Sequence, residues 1–259
     1  MEAFDRLVKI METLRGPGGC PWDAEQTHQS LVKNLIEEAC ELAEAIDKDD
    51  PEAVMEELGD VLLQVVFHST LAKEAERFEV TDVINYLCDK LVYRHPHVFG
   101  DTQVSGAKDV IRNWDQLKRN ENGKQKRKSI LSGVPESLPA LLYALKIQST
   151  ASRVGFDWEH PAQVREKIDE ELAELSAAMN GKSSKHVADE IGDILFSVVN
   201  LARKLDVDPE AALRRSNRKF ARRFYAIEKT AARDGKRLSA MPMAEKEAIW
   251  QAAKADDAD

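Results

Sequence analysis

Apolar residues recur along most of this chain three or four positions apart, which is the spacing of one face of a helix. The stripe that predicts an opening amphipathic helix consists of Phe4, Leu7, Val8, Met11 and Leu14. The same periodicity predicts helices over residues 31–46, 51–71, 80–93 and 106–117. No stretch shows the strict apolar–polar alternation that is typical of a strand. The pattern therefore predicts an all-α protein.

The second half of the chain repeats this order of helices. After a helix that contains Leu141–Ile147, the pattern predicts helices over residues 164–179, 187–205, 211–226 and 243–253. Between the halves lies a segment with two prolines and a basic run, Lys124–Lys128, which we interpret as a solvated linker. We predict one domain over residues 1–119, a linker over 120–136, and a second domain over 137–259.

A cluster of acidic residues occurs twice, and each acid has its counterpart 133 residues later. The first acidic cluster consists of Glu38, Glu41, Glu57 and Asp60, and the second acidic cluster of Glu171, Glu174, Glu190 and Asp193. Apolar neighbours repeat at the same separation. A period this long is too large for a solenoid and indicates a duplicated helical domain.

The spacing of these acids predicts a metal site. Residues three apart on a helix lie about 60° apart on one flank, so antiparallel helices would bring the four carboxylates of each cluster together. Such carboxylates repel one another beside apolar residues unless a cation lies among them. Ligands that are all oxygen favour Mg²⁺ or Mn²⁺ over zinc. A di-iron site would require Glu-x-x-His on two helices, which the clusters lack.

Two glycines interrupt the helices that carry these acids. Gly59 and Gly192 each lie one residue before the aspartate of their cluster. Glycine inside a helix costs about 1 kcal/mol relative to alanine. We interpret both as positions where another helix approaches closely.

Composition narrows the function classes. The 259 residues carry a net charge of −9, which argues against a nucleic-acid partner. Cys20, Cys40 and Cys88 show no Cys-x-x-Cys spacing and predict reduced thiols and a cytoplasmic protein. The N-terminus lacks the apolar core of a signal peptide. No apolar run approaches the roughly 20 residues of a membrane span, so we expect no membrane partner.

Basic and aromatic residues follow each acidic cluster. Lys219 and Arg223 are four residues apart and share one helix face that suits phosphate oxygens, and Lys90 and Arg94 have the same spacing in the first half. A solvated basic face is the alternative interpretation. Trp114 and Trp250 end the two halves in similar contexts. Each tryptophan either stacks on a base or packs in a core.

The motif Glu-Glu-x-x-Glu followed by Glu-x-x-Asp on paired helices resembles the MazG family of nucleoside triphosphate pyrophosphohydrolases. Four further motifs support the resemblance, at residues 19–23, 94–99, 154–158 and 219–223. It covers nearly the whole chain. It implies tandem duplicated helical domains whose four-helix-type packing is completed by formation of a homodimer. It also implies Mg²⁺-dependent hydrolysis of nucleoside triphosphates to monophosphate and pyrophosphate, with broad base tolerance, in nucleotide-pool cleansing or in lowering alarmone levels.

The resemblance also implies roles for individual residues, with the second copy as the main catalytic one. The second acidic cluster would hold the metal, and the first acidic cluster would be its counterpart. Residues implied to contact nucleotide are Lys167, Glu170, Glu171, Lys219, Arg222, Arg223 and Trp250. Secondary contacts in the first copy would come from Glu37, Lys90, Arg94 and Trp114. Glu170 and Glu171 are the catalytic candidates in an in-line attack of water at the α-phosphorus, and either Glu170 or a metal-bound carboxylate is the base.

One departure distinguishes the two copies. Tyr93 stands where the second copy has Arg222, so we expect the first copy to bind metal but to turn over slowly. Two alternatives stay open for the whole chain. One is a specialist hydrolase of a single nucleotide, such as dUTP or a phosphoribosyl-ATP. The other is a nucleotide-sensing protein without turnover, whose mark would be the loss of metal ligands.

Overall fold

A computed structural model describes residues 2–107, 109–110, 113–114, 117, 129–181 and 184–256, and every regular element in these ranges is helical. The all-α prediction is therefore confirmed. The chain divides into two compact units, Met1–Gln125 and Lys126–Asp259. The boundary falls within the segment predicted as a linker, whose basic run lies outside the described residues.

Unit 1 is built around a long helical hairpin. Its helices are α1 (Glu2–Arg15), α2 (Pro21–Glu25), α3 (Val32–Asp47), α4 (Pro51–Glu74), α5 (Val80–Arg94) and α6 (Pro96–Phe99). The helices α3 and α4 pack along each other, and α1, α2 and α5 complete the unit around them. Beyond α6, the described residues 107, 109–110, 113–114 and 117 are helical, and the rest of the predicted helix 106–117 lies outside the described residues.

Local signals set the ends of these helices. The Asp50 carboxylate accepts hydrogen bonds from the backbone N–H groups of Glu52 and Ala53, which caps α4, and Pro51 occupies its first turn. The turn before it contains Asp49 at a φ of 55°, a left-handed conformation that aspartate tolerates. The turn is short, so α4 runs antiparallel to α3.

The core of unit 1 lies between α1, the start of α3 and the second half of α4. Its most buried side chains are Met11, Leu31, Val66 and Phe67. Partly buried side chains packed against them are Phe4, Leu7, Val8, Leu63 and Leu71. The Arg15 guanidinium lies 5.3 Å from the centre of the Phe67 ring and forms an ion pair with Glu74 at 2.7 Å. Together these contacts fix α1 against α4.

Unit 2 repeats the hairpin and adds a longer C-terminal part. A 3₁₀ turn at Ile130–Gly133 precedes helices α7 (Ala140–Ser152), α8 (Pro161–Asn180), α9 (Ser184–Lys204), α10 (Pro209–Arg233) and α11 (Met243–Asp256), with a second 3₁₀ turn at Leu238–Ala240. The α8–α9 hairpin corresponds to α3–α4, and α7 packs on α9 as α1 packs on α4. This equivalence confirms the predicted duplication.

The C-terminal part of unit 2 has its own small core. Ile227, Ala231 and Met241 are buried there, and Leu238, Ile249 and Trp250 pack against them. The helix α10 is seven residues longer at its C-terminal end than the predicted 211–226, because this apolar contact continues past Ala226. The other long helices agree with their predicted ranges to within a few residues.

Within the described part of the chain, no other helix approaches either hairpin glycine closely. A Cβ atom added at Gly59 or at Gly192 would meet no described atom within 4 Å. Both glycines lie on exposed faces of their helices, so close packing within the unit does not require them.

Among the described residues, none of the helices combines the length and the apolar composition that a bilayer span requires.

Candidate active site

Each hairpin brings three glutamates of its acidic cluster together. In unit 1 one carboxylate oxygen from each of Glu38, Glu41 and Glu57 lies within 4.8 Å of the others. In unit 2 the same holds for Glu171, Glu174 and Glu190. The two groups occupy equivalent positions, with two glutamates from the first helix of the hairpin and one from the second.

The aspartates lie beside these groups rather than within them. Asp60 is close enough to raise the pKa of both Glu38 and Glu57, and Asp193 acts in the same way on Glu190. Each predicted set of four acids is therefore gathered in one place. Three members are in closest contact.

In the first acidic cluster, burial and mutual repulsion both disfavour negative charge. Burial is the largest cause that raises the pKa of Glu38, followed by the charges of Asp60, Glu41, Glu57 and Glu37. The pKa of Glu57 is raised first by burial and then by Glu41, Asp60 and Glu56. A cation among these carboxylates would remove the repulsion.

The second acidic cluster shows the same effect at Glu190. Burial raises its pKa most, followed by the charges of Glu174, Glu171 and Asp193. The Glu171 side chain is 6% exposed, and the Lys167 ammonium donates to it at 2.7 Å and to Glu170 at 3.1 Å. These two hydrogen bonds, and first the one donated to Glu171, raise the pKa of Lys167. The lysine therefore stays charged beside the acids.

One carboxylate oxygen in each cluster identifies the kind of ligand that fits. Glu57 Oε2 and Glu190 Oε2 occupy equivalent positions, are buried, and have no hydrogen-bond partner among the described residues. A buried carboxylate oxygen without a partner is costly. A hard cation bound by oxygen would satisfy it, so the donor set of each cluster fits Mg²⁺ or Mn²⁺.

A cavity of about 620 Å³ opens beside the second acidic cluster. Its lining includes three residues of the predicted site, namely Lys167, Glu171 and Asp193. The apolar part comes from Leu131, Ile147, Ala151, Phe156, Trp158 and Phe196, and the remaining polar part from Gln148, Asp157, Ser197, Asn200 and Arg203. A volume of this size suits a molecule of nucleotide dimensions.

The loop that closes one side of this cavity is anchored by ion pairs. The Asp157 carboxylate accepts from Arg203 and from Lys204, the latter at 2.7 Å, and Lys204 also donates to the Trp158 carbonyl. Burial acts to raise the pKa of Asp157, but the hydrogen bonds from Arg203 and Lys204 outweigh it and lower that pKa. The loop 154–158 is thereby fixed to α9.

The predicted phosphate contacts lie on other helices. Lys219, Arg222 and Arg223 are on α10, which contributes no described residue to the cavity lining. The Arg223 guanidinium lies 5.6 Å from the centre of the Trp250 ring, and Phe220 meets the same ring edge-on at 5.2 Å. Trp250 therefore packs in the C-terminal core. Whether these residues contact nucleotide stays a prediction.

Unit 1 repeats the contact between an arginine and a tryptophan. Arg94 lies 5.6 Å from the centre of the Trp114 ring, and the Lys90 ammonium lies 5.4 Å from that of Tyr86. Glu37 is exposed on α3. At the position of Lys167, however, unit 1 has Asn34, whose side-chain oxygen is buried and unpartnered among the described residues.

Apart from Asp193, the cavity residues on α7 and α9 were missed in the sequence. Asn200 could have been found from the 133-residue separation of the repeat. That separation pairs Asn200 with Phe67, so the two copies differ in polarity at this position. Gln148 carried no such signal, since α7 lies outside the regular part of the repeat.

The chain is similar to known proteins over nearly its whole length. The model of the MazG nucleotide pyrophosphohydrolase domain matches twice, at residues 26–99 and 159–225. The chain is 48% identical over 254 residues to the nucleoside triphosphate pyrophosphohydrolase/pyrophosphatase MazG of Thermotoga maritima. The aligned region covers 98% of this chain and 96% of that protein. It is 39% identical over 262 residues to the nucleoside triphosphate pyrophosphohydrolase of Escherichia coli K12, with both chains covered in full.

A duplicated all-α hydrolase with paired acidic hairpins is the class that this fold and site define. The chain belongs to the MazG nucleotide pyrophosphohydrolase family, and the predicted resemblance is confirmed.

Proposed function

We propose that this enzyme hydrolyses nucleoside triphosphates to monophosphate and pyrophosphate in unit 2, with Mg²⁺ as its cofactor. One observation carries the proposal: the second acidic cluster and the 620 Å³ cavity share Glu171 and Asp193. A cation held by the acids and a nucleotide held by the cavity would therefore meet at these two residues. The names of the similar proteins support the same substrate class.

Glu171, Glu174 and Glu190, with Asp193 beside them, would hold the cation. When bound, Mg²⁺ would offset the charge of the triphosphate and lower the pKa of a water molecule in its shell. Mn²⁺ offers similar oxygen chemistry. The remaining chemistry belongs to the side chains of the protein.

Lys167 and Glu170 have distinct roles in this proposal. The Lys167 ammonium lies between Glu170 and Glu171 and borders the cavity. It would orient Glu171 and donate to a phosphate oxygen of the substrate. The Glu170 side chain is 56% exposed, against 6% for Glu171, so its carboxylate meets solvent as well as Lys167. Glu170 would therefore accept the proton of the attacking water, and Glu171 is the alternative base.

The basic face of α10 would contact the leaving pyrophosphate. Lys219, Arg222 and Arg223 supply three positive charges on one helix, and arginine binds phosphate oxygens bidentately. In unit 1 Tyr93 replaces the counterpart of Arg222, so unit 1 would bind a cation but turn over slowly.

A homodimer would cover an apolar stripe that both hairpins leave exposed. In unit 1 the stripe consists of Leu58, Leu62 and Val65, and in unit 2 the equivalent residues are Ile191, Leu195 and Val198, all between 39% and 53% exposed. A second copy of the chain would complete four-helix packing over these residues. Light scattering of the purified protein tests this, and a monomer of 29.1 kDa would refute it.

The cellular setting follows from the chemistry. The free thiols of Cys20, Cys40 and Cys88 suit the reducing cytoplasm. There the reaction would remove unwanted triphosphates from the nucleotide pool or lower the level of an alarmone.

Product analysis in ¹⁸O-labelled water tests the reaction itself. The purified protein is incubated with Mg²⁺ and a panel of ribo- and deoxyribonucleoside triphosphates, and the products are separated. We expect monophosphate and pyrophosphate, with the label in the monophosphate because water attacks the α-phosphorus. Label in pyrophosphate would indicate attack at the β-phosphorus. Label in inorganic phosphate would refute pyrophosphohydrolysis. Turnover of one substrate would favour a specialist hydrolase, and no turnover would favour a sensor.

A further inference from the structure

We infer that the two acidic clusters take up a divalent cation in different ways: unit 1 holds one on its own, and unit 2 holds one firmly only together with a nucleotide. The residue that makes this difference is Lys167, which serves as the counter-ion of the second acidic cluster until a substrate arrives. The inference rests on the proposed function, because it assumes the same cation and the same substrate.

The Lys167 ammonium is bound to acids of the second acidic cluster and its surroundings. It donates to Glu171 at 2.7 Å and to Glu170 at 3.1 Å. Glu171 is one of the glutamates whose carboxylate oxygens lie within 4.8 Å of one another. A divalent cation among these oxygens would lie close to the ammonium group, which would repel it and compete with it for the Glu171 carboxylate.

The burial of Glu171 makes this pair different from an ordinary ion pair on a helix surface. The Glu171 side chain is 6% exposed, and that of Lys167 is 34% exposed. Exposed ion pairs contribute little to stability, but a carboxylate buried to this extent is costly without a positive partner. Lys167 is that partner when no cation is bound. Its hydrogen bonds to Glu171 and then to Glu170 raise the pKa of Lys167, so the counter-ion is charged at neutral pH.

The first acidic cluster has a neutral residue at the corresponding position. Asn34 lies 133 residues before Lys167 and one helical turn before Glu38. Its Oδ1 is buried and has no partner among the described residues. Burial, followed by the charges of neighbouring acids, raises the pKa of both Glu38 and Glu57. A cation would relieve this repulsion without first displacing a lysine.

A triphosphate offers Lys167 a second partner. Lys167 and Glu171 both line the cavity beside the second acidic cluster. A lysine ammonium has three donors on a flexible stem, so it can turn from a carboxylate to a phosphate oxygen by rotation of its own side chain. The Glu171 carboxylate then becomes available to a cation that the phosphates also bind. Nucleotide and cation should therefore bind unit 2 with positive cooperativity.

The two units would use their cations differently. Unit 1 would keep its cation between turnovers, where it stabilises the α3–α4 hairpin by relieving the repulsion among the acids. Unit 2 would take up its cation with the substrate and release it with pyrophosphate. Lys167 thus has a positioning and regulatory role in addition to its contact with a phosphate oxygen.

Binding of Mn²⁺ to the metal-free full chain, in the absence of nucleotide, tests the inference. Free Mn²⁺ is measured by electron paramagnetic resonance during a titration. We expect one tight site per chain and a second site that is about tenfold or more weaker, because the neighbouring ammonium opposes the cation. Glu38→Gln should remove the tight site, and Glu171→Gln should remove the weak site.

Exchange of the two differing residues gives the sharpest comparison. Lys167→Asn should tighten the weak site about tenfold or more, and Asn34→Lys should weaken the tight site by a similar factor. The matched control is Arg165→Asn, which removes a positive charge from the same helix, in an exposed ion pair with Asp169. This control should leave both affinities as in the wild type. Thermal unfolding checks that each variant is folded.

Calorimetry tests the cooperativity with nucleotide. The affinity for the nonhydrolysable analogue α,β-methylene-ATP is measured with and without Mn²⁺. The ratio of the two affinities should be about tenfold or more smaller in Lys167→Asn than in the wild type, because the cation no longer depends on displacement of the lysine. An equal ratio in both proteins would show that Lys167 does not couple the two ligands.

Two further results would overturn the inference. One is equal Mn²⁺ affinity of the two clusters in the wild type, and the other is an unchanged weak site in Lys167→Asn. Neither measurement needs turnover, so each is separate from the test of the proposed function. Equal affinities in a protein that yields the expected labelled products would refute the inference alone. Unequal affinities that Lys167→Asn makes equal, in a protein without turnover, would refute the proposed reaction alone.

Discussion

The two hairpins carry the same acids, but what lies behind them differs. In unit 1, α1 packs Met11 against Phe67 and leaves a solid core behind the first acidic cluster. In unit 2, α7 brings Gln148 to the same side of α9 as Asn200, and a cavity remains between them. The acids determine whether a cation can bind. The residues further along the same face of the second hairpin helix decide whether that face borders a core or a cavity.

The two acidic clusters also differ in the charge of a neighbouring side chain. Lys167 contacts Glu170 and Glu171 in unit 2, whereas unit 1 has the neutral Asn34 at this position. The second acidic cluster therefore has a positive side chain between two acids at a position where unit 1 has a neutral one. The two copies would bind the same cation but differ in their affinity for a triphosphate.

The loop before each hairpin is held by an arginine, but the two arginines lie on different helices. Arg15 on α1 contacts the carbonyls of Asp23 and Gln26 in unit 1, and Arg203 on α9 contacts Asp157 in unit 2. In unit 1 the arginine also covers Phe67 and so helps to fill the core. In unit 2 the arginine forms part of the cavity wall.

The largest expected effect tests whether Phe67 belongs to the core of unit 1 while its counterpart Asn200 lines the cavity of unit 2. Phe67→Ala should destabilise unit 1 by about 3–5 kcal/mol, because it removes a buried ring and leaves a void. Asn200→Ala should lower the stability of unit 2 by a much smaller amount. Urea unfolding followed by circular dichroism, fitted with separate transitions for the two units, measures both. Equal losses would contradict the assignment of different roles.

The next effect concerns catalysis. Glu171→Gln should lower the rate of pyrophosphate release about 10²–10³-fold, because several kcal/mol of charge stabilisation are lost with one metal ligand. The matched change Glu38→Gln should leave most of the activity. A greater loss from Glu38→Gln would reverse the ranking of the two copies.

A smaller effect is expected at the hairpin glycines. Gly59→Ala and Gly192→Ala should each stabilise the protein by about 1 kcal/mol, because an added Cβ meets no described atom and alanine favours the helix. Thermal unfolding measures the gain. A loss of stability at either position would show that another surface, such as that of a second copy, approaches the glycine.

The smallest effect is a pH dependence confined to unit 1. His68 Nδ1 lies 2.8 Å from His28 Nδ1, and burial, followed by the charge of His28, lowers the pKa of His68 from 6.5. Since the unfolded chain takes up this proton at higher pH than the folded chain, the free energy of unfolding should decrease as pH falls below about 6.5.

The change that removes this dependence is His68→Leu, since unit 2 has Leu201 at the corresponding position. Unfolding of wild type and variant at pH 7.5 and 5.5 should show a smaller difference in the variant. Replacement of the exposed His186 by leucine is the control and should leave the pH dependence as in the wild type.

The sequence alone determined the helices, the duplication and the two acidic clusters. Helical periodicity and fixed spacing are local properties, and residues such as Glu171 and Glu174 share a helix flank wherever the helix packs. The length of α10 and the positions of Gly59 and Gly192 relative to other helices could not be predicted this way, because they depend on contacts with segments distant in the chain.

Only the tertiary structure decided what lies beside each acidic cluster. Gln148 and Asn200 are 52 residues apart and belong to different helices, so no spacing rule connects them. Their meeting depends on how α7 packs against α9, and the same packing in unit 1 joins Met11 to Phe67. Whether two facing positions form a core or a cavity depends on the volume and polarity of both side chains together. This property exists only once the helices are assembled.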